Sequence, residues 1–328
     1  MQRSLVGSEM CIRDRTNTIT FSVVVPTYHS DKKTLVRTVE SILQQKYLPK
    51  EIIVIDDNGL CDYQKTTKEV QKLYPDALKI FFNKENMGAN YSRNKGIKEA
   101  TGKYIAFMDA DDTWDKNYLE ECASIIEKCQ ALFITTNYQI IHKDGVLPPA
   151  FNKSIHESGN ISNKELFRDY VGPTSTVVVE REVLMKAGLF DIELPARQDY
   201  DMWIRTSQIV PLFYNFKPLV KIYRDGHASI SSSYKRNVQG TKMVLQKILA
   251  QKNITDDEKI KITASQYKHM ALACILGNAY KEAREYAYIS LKWDFDFTLS
   301  IWYILCFFPS FFRWLRTVRK KRLYRKNI

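Results

Sequence analysis

Cysteine, glycine and proline are scarce in this chain of 328 residues, which has 6 Cys, 12 Gly and 10 Pro. The low glycine and proline content excludes collagen-like repeats, and the 45% hydrophobic content excludes a disordered chain. No two cysteines have C-x-x-C spacing, and none lies near a histidine in an arrangement typical of zinc. We therefore expect six free thiols in a reducing compartment. The length allows one large domain with a smaller additional region.

Acidic residues are absent from the last sixteen positions, which hold eight Lys and Arg. Of the net charge of +12, this segment supplies eight and the first fifteen residues supply one, which leaves +3 for the rest. The basicity therefore belongs to a tail, and the nearly neutral body argues against a nucleic-acid surface.

Neither end of the chain has the pattern of a secretory signal. The first fifteen residues lack an apolar core and resemble the translated read-through of a sequencing adapter, so we treat 1–18 as a non-native or disordered extension. Phe297 to Phe312 contains no charge, but it is shorter than the roughly 20 residues of a spanning helix and includes Pro309. With the basic tail, 297–328 predicts an interfacial or re-entrant anchor on the inner, anionic face of a membrane. A core-facing helix is the alternative.

Strand and helix patterns alternate from Ser22 onwards. Val- and Ile-rich runs such as SVVVP and EIIVIDD are separated by amphipathic helices, a pattern typical of an α/β fold with a largely parallel sheet. We assign 19–232 to this α/β domain and 233–296, where only helical patterns occur, to a helical appendage. Ligands of such sheets bind at the carboxyl ends of the strands.

Polar residues follow the predicted strands at those ends. Asp56-Asp57-Asn58 follows the second strand, and Asp109-Ala110-Asp111-Asp112 follows the fourth. Three carboxylates within four residues repel each other, and a hard divalent cation such as Mg²⁺ or Mn²⁺ relieves that repulsion. The chain has no P-loop, and the turn after the first strand has no glycine, which disfavours an ATPase or a dinucleotide dehydrogenase.

Six fragments in order resemble family 2 glycosyltransferases, the nucleotide-sugar-dependent enzymes of the GT-A fold. They are SVVVPTYHS, EIIVIDDN, NKENMGANYSRNKGI, GKYIAFMDADD, RQDYDMWIR and YRDGHASIS, and they span about 210 residues. The resemblance implies an inverting transfer of one sugar from a nucleotide sugar to a glycan or lipid-linked acceptor, assisted by Mn²⁺ or Mg²⁺. The QxxRW motif of processive synthases is absent.

The resemblance also assigns roles on the donor side. Asp57 would accept a hydrogen bond from the N3–H of uracil, with capping of the local turn as the alternative. Asp109 and Asp111 would form the DXD motif, whose carboxylates contact the ribose and the metal. The residues expected to bind the nucleotide sugar are Pro26, Thr27, Tyr28, Asp57, Arg93, Asp109, Ala110 and Asp111. UDP is the favoured nucleotide because Asp57 can pair with a pyrimidine, a feature that dTDP shares.

Several neighbouring residues have two possible roles. Asn86, Gly88, Arg93 and Asn94 match an NxGxxxxRNxG stretch, in which Gly88 allows an unusual backbone angle and Arg93 reaches the donor or forms a structural ion pair. We expect Asp112 to cap the following helix, with support of the metal ligands as the alternative.

On the acceptor side, the resemblance makes Asp199 the catalytic base. Asp201 is its competitor, which a helix should direct elsewhere. Trp203 either stacks on a sugar or fills the core. His227 either contacts the diphosphate or metal or is an ordinary loop residue.

Two alternatives belong to other classes of protein. Asp109-Ala110-Asp111-Asp112-Thr113 also satisfies the D-x-D-x-T signature of haloacid-dehalogenase phosphatases, with Asp109 as nucleophile. That motif should end the first strand of the fold rather than the fourth. The tail alone would suit a non-catalytic membrane-binding protein. The pattern identifies neither the donor sugar nor the acceptor.

Overall fold

The computed structural model describes residues 19–59, 64–143, 145–224, 233–252, 254–313, 315 and 317. The predicted N-terminal extension, His227 and most of the basic tail lie outside these residues. Among the described residues, Cys122, Cys274 and Cys306 are buried thiols and Cys129 is an exposed thiol.

The first half of the fold is a regular βα alternation. Its elements are β1 (Phe21–Thr27), α1 (Lys32–Leu43), β2 (Glu51–Asp56), α2 (Gln64–Leu73), β3 (Leu78–Phe82), α3 (Ala89–Glu99) and β4 (Tyr104–Phe107). The strands pair in parallel in the order β3-β2-β1-β4. The predicted strands SVVVP and EIIVIDD agree with β1 and β2 to within one residue at each end, because strands buried on both faces are continuous apolar runs.

The second half extends the sheet with mixed pairing. Its elements are β5 (Thr113–Trp114), α4 (Tyr118–Cys129), β6 (Phe133–His142), β7 (Gly145–Val146), α5 (Ser162–Glu165), a 3₁₀ turn (Thr174–Thr176), β8 (Val177–Glu180), α6 (Arg181–Lys186), α7 (Gln198–Ser207) and β9 (Phe213–Tyr223). The sheet continues from β4 through β8, β6 and β9 to β5, and β7 pairs with β6. Strand β8 is antiparallel to both β4 and β6, so the sheet is mixed beyond β4.

Two apolar cores cover the faces of the sheet. Val23 and Val25 of β1 pack with α1 and α4 on one face, whereas Val24 packs on the other with α3 and Trp203 of α7. Consecutive residues of a strand point to opposite faces, so β1 contributes to both cores. This arrangement gives the helix–sheet–helix layers expected of the predicted fold class.

Four helices form the C-terminal region, namely α8 (Tyr234–Leu249), α9 (Asp256–Leu276), α10 (Tyr280–Trp293) and α11 (Phe297–Leu305). A capping box between Thr255 and Glu258 fixes the start of α9. Leu166, Tyr200 and Ile204 of the sheet domain share a core with residues of α8 and α9. The boundary predicted at 232/233 therefore separates two segments that pack as one body.

The apolar C-terminal stretch is helical and interrupted. α11 ends at Leu305, and helix resumes at Pro309, where proline is compatible with a first turn. Leu299, Cys306 and Phe312 are buried against α9 and α10, as in the core-facing alternative, whereas many of their neighbours are exposed. Within the described ranges, every helix falls short of the length and apolarity that crossing a bilayer requires.

Candidate active site

The carboxyl ends of β1, β2 and β4 bring the predicted donor-side residues together. These strands are neighbours in the sheet, so Thr27, Asp57 and Asp109 lie along one edge. Helix α1 fixes the acidic loop after β4: Thr38 Oγ1 donates to the carbonyls of Ala110 and Asp112 at 2.9 and 2.8 Å. The loop is thus held through its backbone, which leaves its carboxylates for other partners.

Asp109 forms an ion pair inside the site. Arg93 Nη2 donates to Asp109 Oδ1 at 2.7 Å, and Thr174 Oγ1 lies 3.2 Å from Asp109 Oδ2. Arg93 is 6% exposed, and its Nε and Nη1 atoms are buried without a partner among the described residues. Leaving such donors unsatisfied is costly, so the guanidinium is arranged to receive a further acceptor.

Asp111 and Asp112 differ in their surroundings. Asp111 is exposed, yet desolvation by surrounding protein atoms and then the Asp109 carboxylate raise its pKa. Asp112 is buried, and it accepts hydrogen bonds from Ser175 Oγ at 2.5 Å and the Tyr223 N–H at 3.3 Å. Burial, followed by the Asp111 and Asp109 charges, raises the pKa of Asp112 well above its usual value.

The prediction that Asp112 caps the following helix is wrong. Asn117 occupies the N-cap position of α4. Asp112 instead ties the acidic loop to the 3₁₀ turn and to β9, through partners that lie 63 and 111 residues away in sequence. The contacts of Asp112 therefore agree with the alternative role considered from the sequence, which is support of the acidic loop.

Asp57 holds the loop that precedes α3. Its carboxylate accepts hydrogen bonds from Asn83 Nδ2 at 2.8 Å, Met87 N at 2.9 Å and Gly88 N at 2.7 Å. Gly88 has a φ of 85°, which explains the need for glycine there. A carboxylate has about four acceptor positions, so one remains available to a ligand.

The remaining donor-side residues occupy varied positions. Thr27 is buried and donates to Ser30 Oγ, Ala110 is buried and Pro26 is partly buried, whereas the Tyr28 ring is half exposed and stacks on His29. Asn94 exchanges hydrogen bonds with the Phe190 backbone, and Asn86 accepts one from the Gly88 N–H. Tyr28 therefore offers an accessible ring face at this edge of the sheet.

Asp199 lies in the first turn of α7. Its Oδ1 accepts the Tyr200 N–H at 2.8 Å, and the preceding turn contains Arg197 in the left-handed conformation. Asp201 is buried and bound by Arg205 Nη2 at 2.6 Å and Lys247 Nζ at 2.5 Å. Of the two carboxylates, Asp199 is the one without an ion pair among the described residues.

A second carboxyl group near Asp199 was missed from the sequence. Burial and then the Asp199 charge raise the pKa of Asp169, whose Oδ1 accepts the Gly172 N–H at 2.8 Å. Burial and the Asp169 charge raise the pKa of Tyr138 to about 12. Both residues belong to the second half of the fold, where no motif marks them. Thr174 and Ser175 were missed for the same reason.

Trp203 and His227 are the last two residues predicted for the site. The Trp203 ring is fully buried among Phe107, Phe133 and Phe190, and its Nε1 donates to the Gly172 carbonyl at 3.0 Å. Trp203 has no exposed face on which a sugar could stack, so it fills the core, which is the second of its two predicted roles. His227 lies outside the described residues.

The donor set suits a hard divalent cation that is bound together with a ligand. Among the described residues, no cluster of three acidic, His or Cys side chains is arranged to hold an ion. Asp111 and Asp109 nevertheless supply oxygen ligands, and desolvation followed by the Asp109 charge raises the pKa of Asp111. Mg²⁺-type sites commonly combine one or two carboxylates with phosphate oxygens of the substrate.

Comparison with known proteins agrees with this geometry. Residues 22–186 match the family model described as glycosyl transferase family 2. The chain is 26% identical over 227 residues to the putative teichuronic acid biosynthesis glycosyltransferase TuaG of Bacillus subtilis (strain 168), covering 69% of this chain and 87% of that protein. It is 29% identical over 215 residues to the UDP-Glc:alpha-D-GlcNAc-diphosphoundecaprenol beta-1,3-glucosyltransferase WfgD of Escherichia coli, covering 65% and 79%.

Solved structures share the fold. S. aureus TarS 1-349 in complex with UDP-GlcNAc superimposes with a TM-score of 0.59 at 16% identity, covering 84% of this chain and 89% of that one. GalNAc-T7 with UDP, GalNAc and Mn²⁺ gives a TM-score of 0.57 at 19% identity, covering 77% and 51%. These matches do not support the phosphatase alternative. Asp109 follows the fourth strand of the fold, not the first as that alternative requires, and Arg93 binds it.

Proposed function

This chain belongs to glycosyl transferase family 2, and we propose that it transfers one sugar from a UDP-sugar to a hydroxyl of a lipid-linked glycan, with inversion. The observation that carries the proposal is the acidic loop after β4, fixed by α1 and placed beside Asp57 and Arg93 at one edge of the sheet. TuaG and WfgD are named for polymer and lipid-linked glycan synthesis. By analogy with them, we place this enzyme in the synthesis of a bacterial cell-surface polysaccharide.

The donor nucleotide would bind over the ends of β1 and β2. The remaining acceptor position of Asp57 would take the uracil N3–H, and Thr27, Pro26 and the exposed Tyr28 ring would line the base and ribose. The buried, unsatisfied nitrogens of Arg93 would receive oxygens of the donor, with Asp109 and Ala110 beside it.

Asp111 and Asp109 would hold a Mn²⁺ or Mg²⁺ ion. When bound, this ion neutralises charge on the diphosphate as UDP departs. The negative charge of this loop favours binding of a cation, because Arg93 is the one cation that forms an ion pair with its carboxylates among the described residues.

Asp199 would act as the general base. The acceptor oxygen forms a bond to the anomeric carbon while its proton passes to the Asp199 carboxylate and the bond from carbon to the UDP oxygen breaks. Attack from the face opposite UDP inverts the configuration. Such base assistance contributes on the order of 10²–10⁴ in rate. Asp169 and Tyr138, which interact electrostatically with Asp199, would contact the acceptor.

Calorimetric titration of UDP with and without Mn²⁺ tests the donor side. We expect metal-dependent binding by the unaltered protein and none by Asp111→Ala. The matched control is Asp76→Ala, which changes a carboxylate in the turn between α2 and β3. Absence of UDP binding by a folded sample in both conditions would refute the UDP-sugar assignment.

The enzyme would work at the cytoplasmic, inner face of the cell membrane. Phe297, Ile304, Phe307, Phe308 and Phe311 are 71%, 58%, 54%, 60% and 52% exposed, and we call these five residues the C-terminal apolar surface. Exposed aromatic residues next to a basic segment are typical of helices that lie in a lipid interface. This surface therefore supports peripheral binding to an anionic membrane.

Co-sedimentation with phosphatidylglycerol vesicles tests this surface. Phe307→Glu with Phe308→Glu should abolish binding, whereas Leu48→Glu, which alters an equally exposed residue before β2, should retain it. Point substitutions are preferable to removing the chain after Asp296, because the truncation would remove Leu299, Cys306 and Phe312, which are buried against α9 and α10. Equal binding by both variants would exclude this surface as the anchor.

A further inference from the structure

A half-open apolar groove lies between α9 and the helical segments after it. It has a volume of about 470 Å³ and is lined by apolar side chains that include Leu272, Ile275, Leu276, Trp302, Leu305 and Phe312. That volume lies within the range of about 300–1,000 Å³ typical of small-molecule sites. None of the proposed donor or catalytic residues lines it.

Helix α9 connects this groove to the active site. Gln266 Nε2 donates to Tyr200 OH at 2.8 Å, and Ser265 Oγ donates to the Phe167 carbonyl at 2.6 Å. Tyr200 adjoins Asp199. At 1.5 Å per residue, the groove residues Leu272 to Leu276 lie about 9–15 Å further along the same helix.

The groove and the C-terminal apolar surface are formed in part by the same stretch of the chain. Lining residues Leu305 and Phe312 alternate in sequence with the exposed Ile304 and Phe311. Arg313 directly follows Phe312 and is exposed, and the basic tail begins there. One segment therefore combines an apolar channel, an apolar rim and positive charge suited to a phosphate group.

We propose that this groove binds the hydrocarbon chain of the lipid-linked acceptor, an isoprenoid carried on a phosphate or diphosphate. The proposal rests on the proposed function, because it supplies the lipid part of the acceptor whose sugar reaches Asp199. A lining without charged side chains suits a hydrocarbon, and burial of each apolar side chain against it is favourable. A lipid bound here would contact α9, the helix that is also hydrogen-bonded to Tyr200 of α7.

Fluorescence anisotropy with dansyl-labelled geranylgeranyl phosphate, below its micelle concentration and without vesicles, tests the groove. We expect saturable binding that Leu276→Gln and Leu272→Trp each weaken by about tenfold, because one loses an apolar contact and the other fills the channel. Leu276 is 70% exposed, so its change to glutamine leaves folding intact. Leu73→Gln, at the exposed end of α2, is the matched control and should bind normally.

UDP calorimetry on the same samples separates this proposal from the proposed function. Loss of isoprenoid binding with UDP binding retained supports the groove, and failure of UDP to bind any sample refutes the donor assignment alone. Three results would overturn the groove: no isoprenoid binding by a sample that binds UDP, equal binding by all variants, or a dimer in sedimentation velocity that Leu276→Gln dissociates. Binding that appears only after removal of residues 318–328 would also overturn it, because the chain itself would then be the occupant.

Discussion

The two regions that we propose to bind the donor and the acceptor, here called the donor half and the acceptor half, are built in different ways. On the donor side, Thr27, Asp57 and Asp109 follow three neighbouring parallel strands, so the register of the sheet alone brings them to one edge. On the acceptor side, Asp199 depends on contacts between segments that are far apart in sequence. The donor half is therefore local in sequence, and the acceptor half depends on tertiary packing.

The C-terminal helices show what the acceptor half requires. Gln266 joins Tyr200 to the Leu166 and Phe167 carbonyls, and Lys247 pairs with Asp191 and Asp201. These contacts surround the turn that presents Asp199. The region predicted to be an appendage thus contacts the segment that carries Asp199, the proposed base. We expect substitutions in it to affect turnover and those in the donor half to affect UDP binding.

The largest expected effect is that of Asp199→Asn, which should change turnover and leave UDP binding intact. Asp199→Asn should lower kcat by on the order of 10²–10⁴, because the amide cannot accept the acceptor proton. UDP affinity should not change. Steady-state kinetics and UDP calorimetry measure the two quantities, with Asp201→Asn as a comparison that should lower stability through its lost ion pairs with Arg205 and Lys247. Full activity in Asp199→Asn would rule out its role as the base.

Acid should remove the contribution of Glu51 to the stability of the donor half only at low pH. Burial opposes ionisation of Glu51, but hydrogen bonds from Lys79, Ser22 and Thr101 outweigh it and lower the pKa to about 2. The ionised group stabilises the fold above its unfolded pKa, and this contribution is lost as pH falls from about 4.5 to 2. Glu51→Gln should therefore lower the free energy of unfolding by about 2–3 kcal/mol at pH 7. Urea titrations should show the difference shrinking below pH 4.5.

Two glycines allow a matched test of packing. A Cβ at Gly240 of α8 would clash with the Ala196 carbonyl, close to Asp199, whereas one at Gly96 of α3 would clash with Val24 in the donor half. Both alanine variants should lose about 1–3 kcal/mol of stability. Gly240→Ala should also lower kcat, with UDP affinity retained. Unchanged kcat in Gly240→Ala would show that α8 does not set the position of the catalytic loop.

The smallest expected effect is on how stability depends on pH, through His269 in the C-terminal helices. Burial, followed by the Arg197 cation, lowers the pKa of His269 to about 3. Between about pH 6.5 and 3 the unfolded state binds the proton and the folded state does not, so stability falls as pH falls through this window. The loss is about 1 kcal/mol between pH 7 and 5.5. His269→Gln should remove this dependence of the unfolding free energy on pH, which chemical denaturation at several pH values measures. An unchanged dependence would show that other groups cause it.

The sequence by itself determined the donor half and the fold class. Apolar runs of strand length and helical periodicity placed β1 to β4, and the acids after β2 and β4 marked the edge at which we propose that the donor binds. This succeeds because parallel pairing converts positions in sequence into positions in space with little freedom. The match to glycosyl transferase family 2 confirms the family that the ordered motifs indicated.

Only the tertiary structure decided the roles of Asp112, Trp203 and Asp169. Asp112 supports the acidic loop through Ser175 and Tyr223, Trp203 is enclosed by three phenylalanines, and Asp169 lies within electrostatic reach of Asp199. It also showed that α8 and α9 support the catalytic turn. The physical reason is that these contacts join distant segments through side-chain packing and burial, which no local pattern of residues encodes.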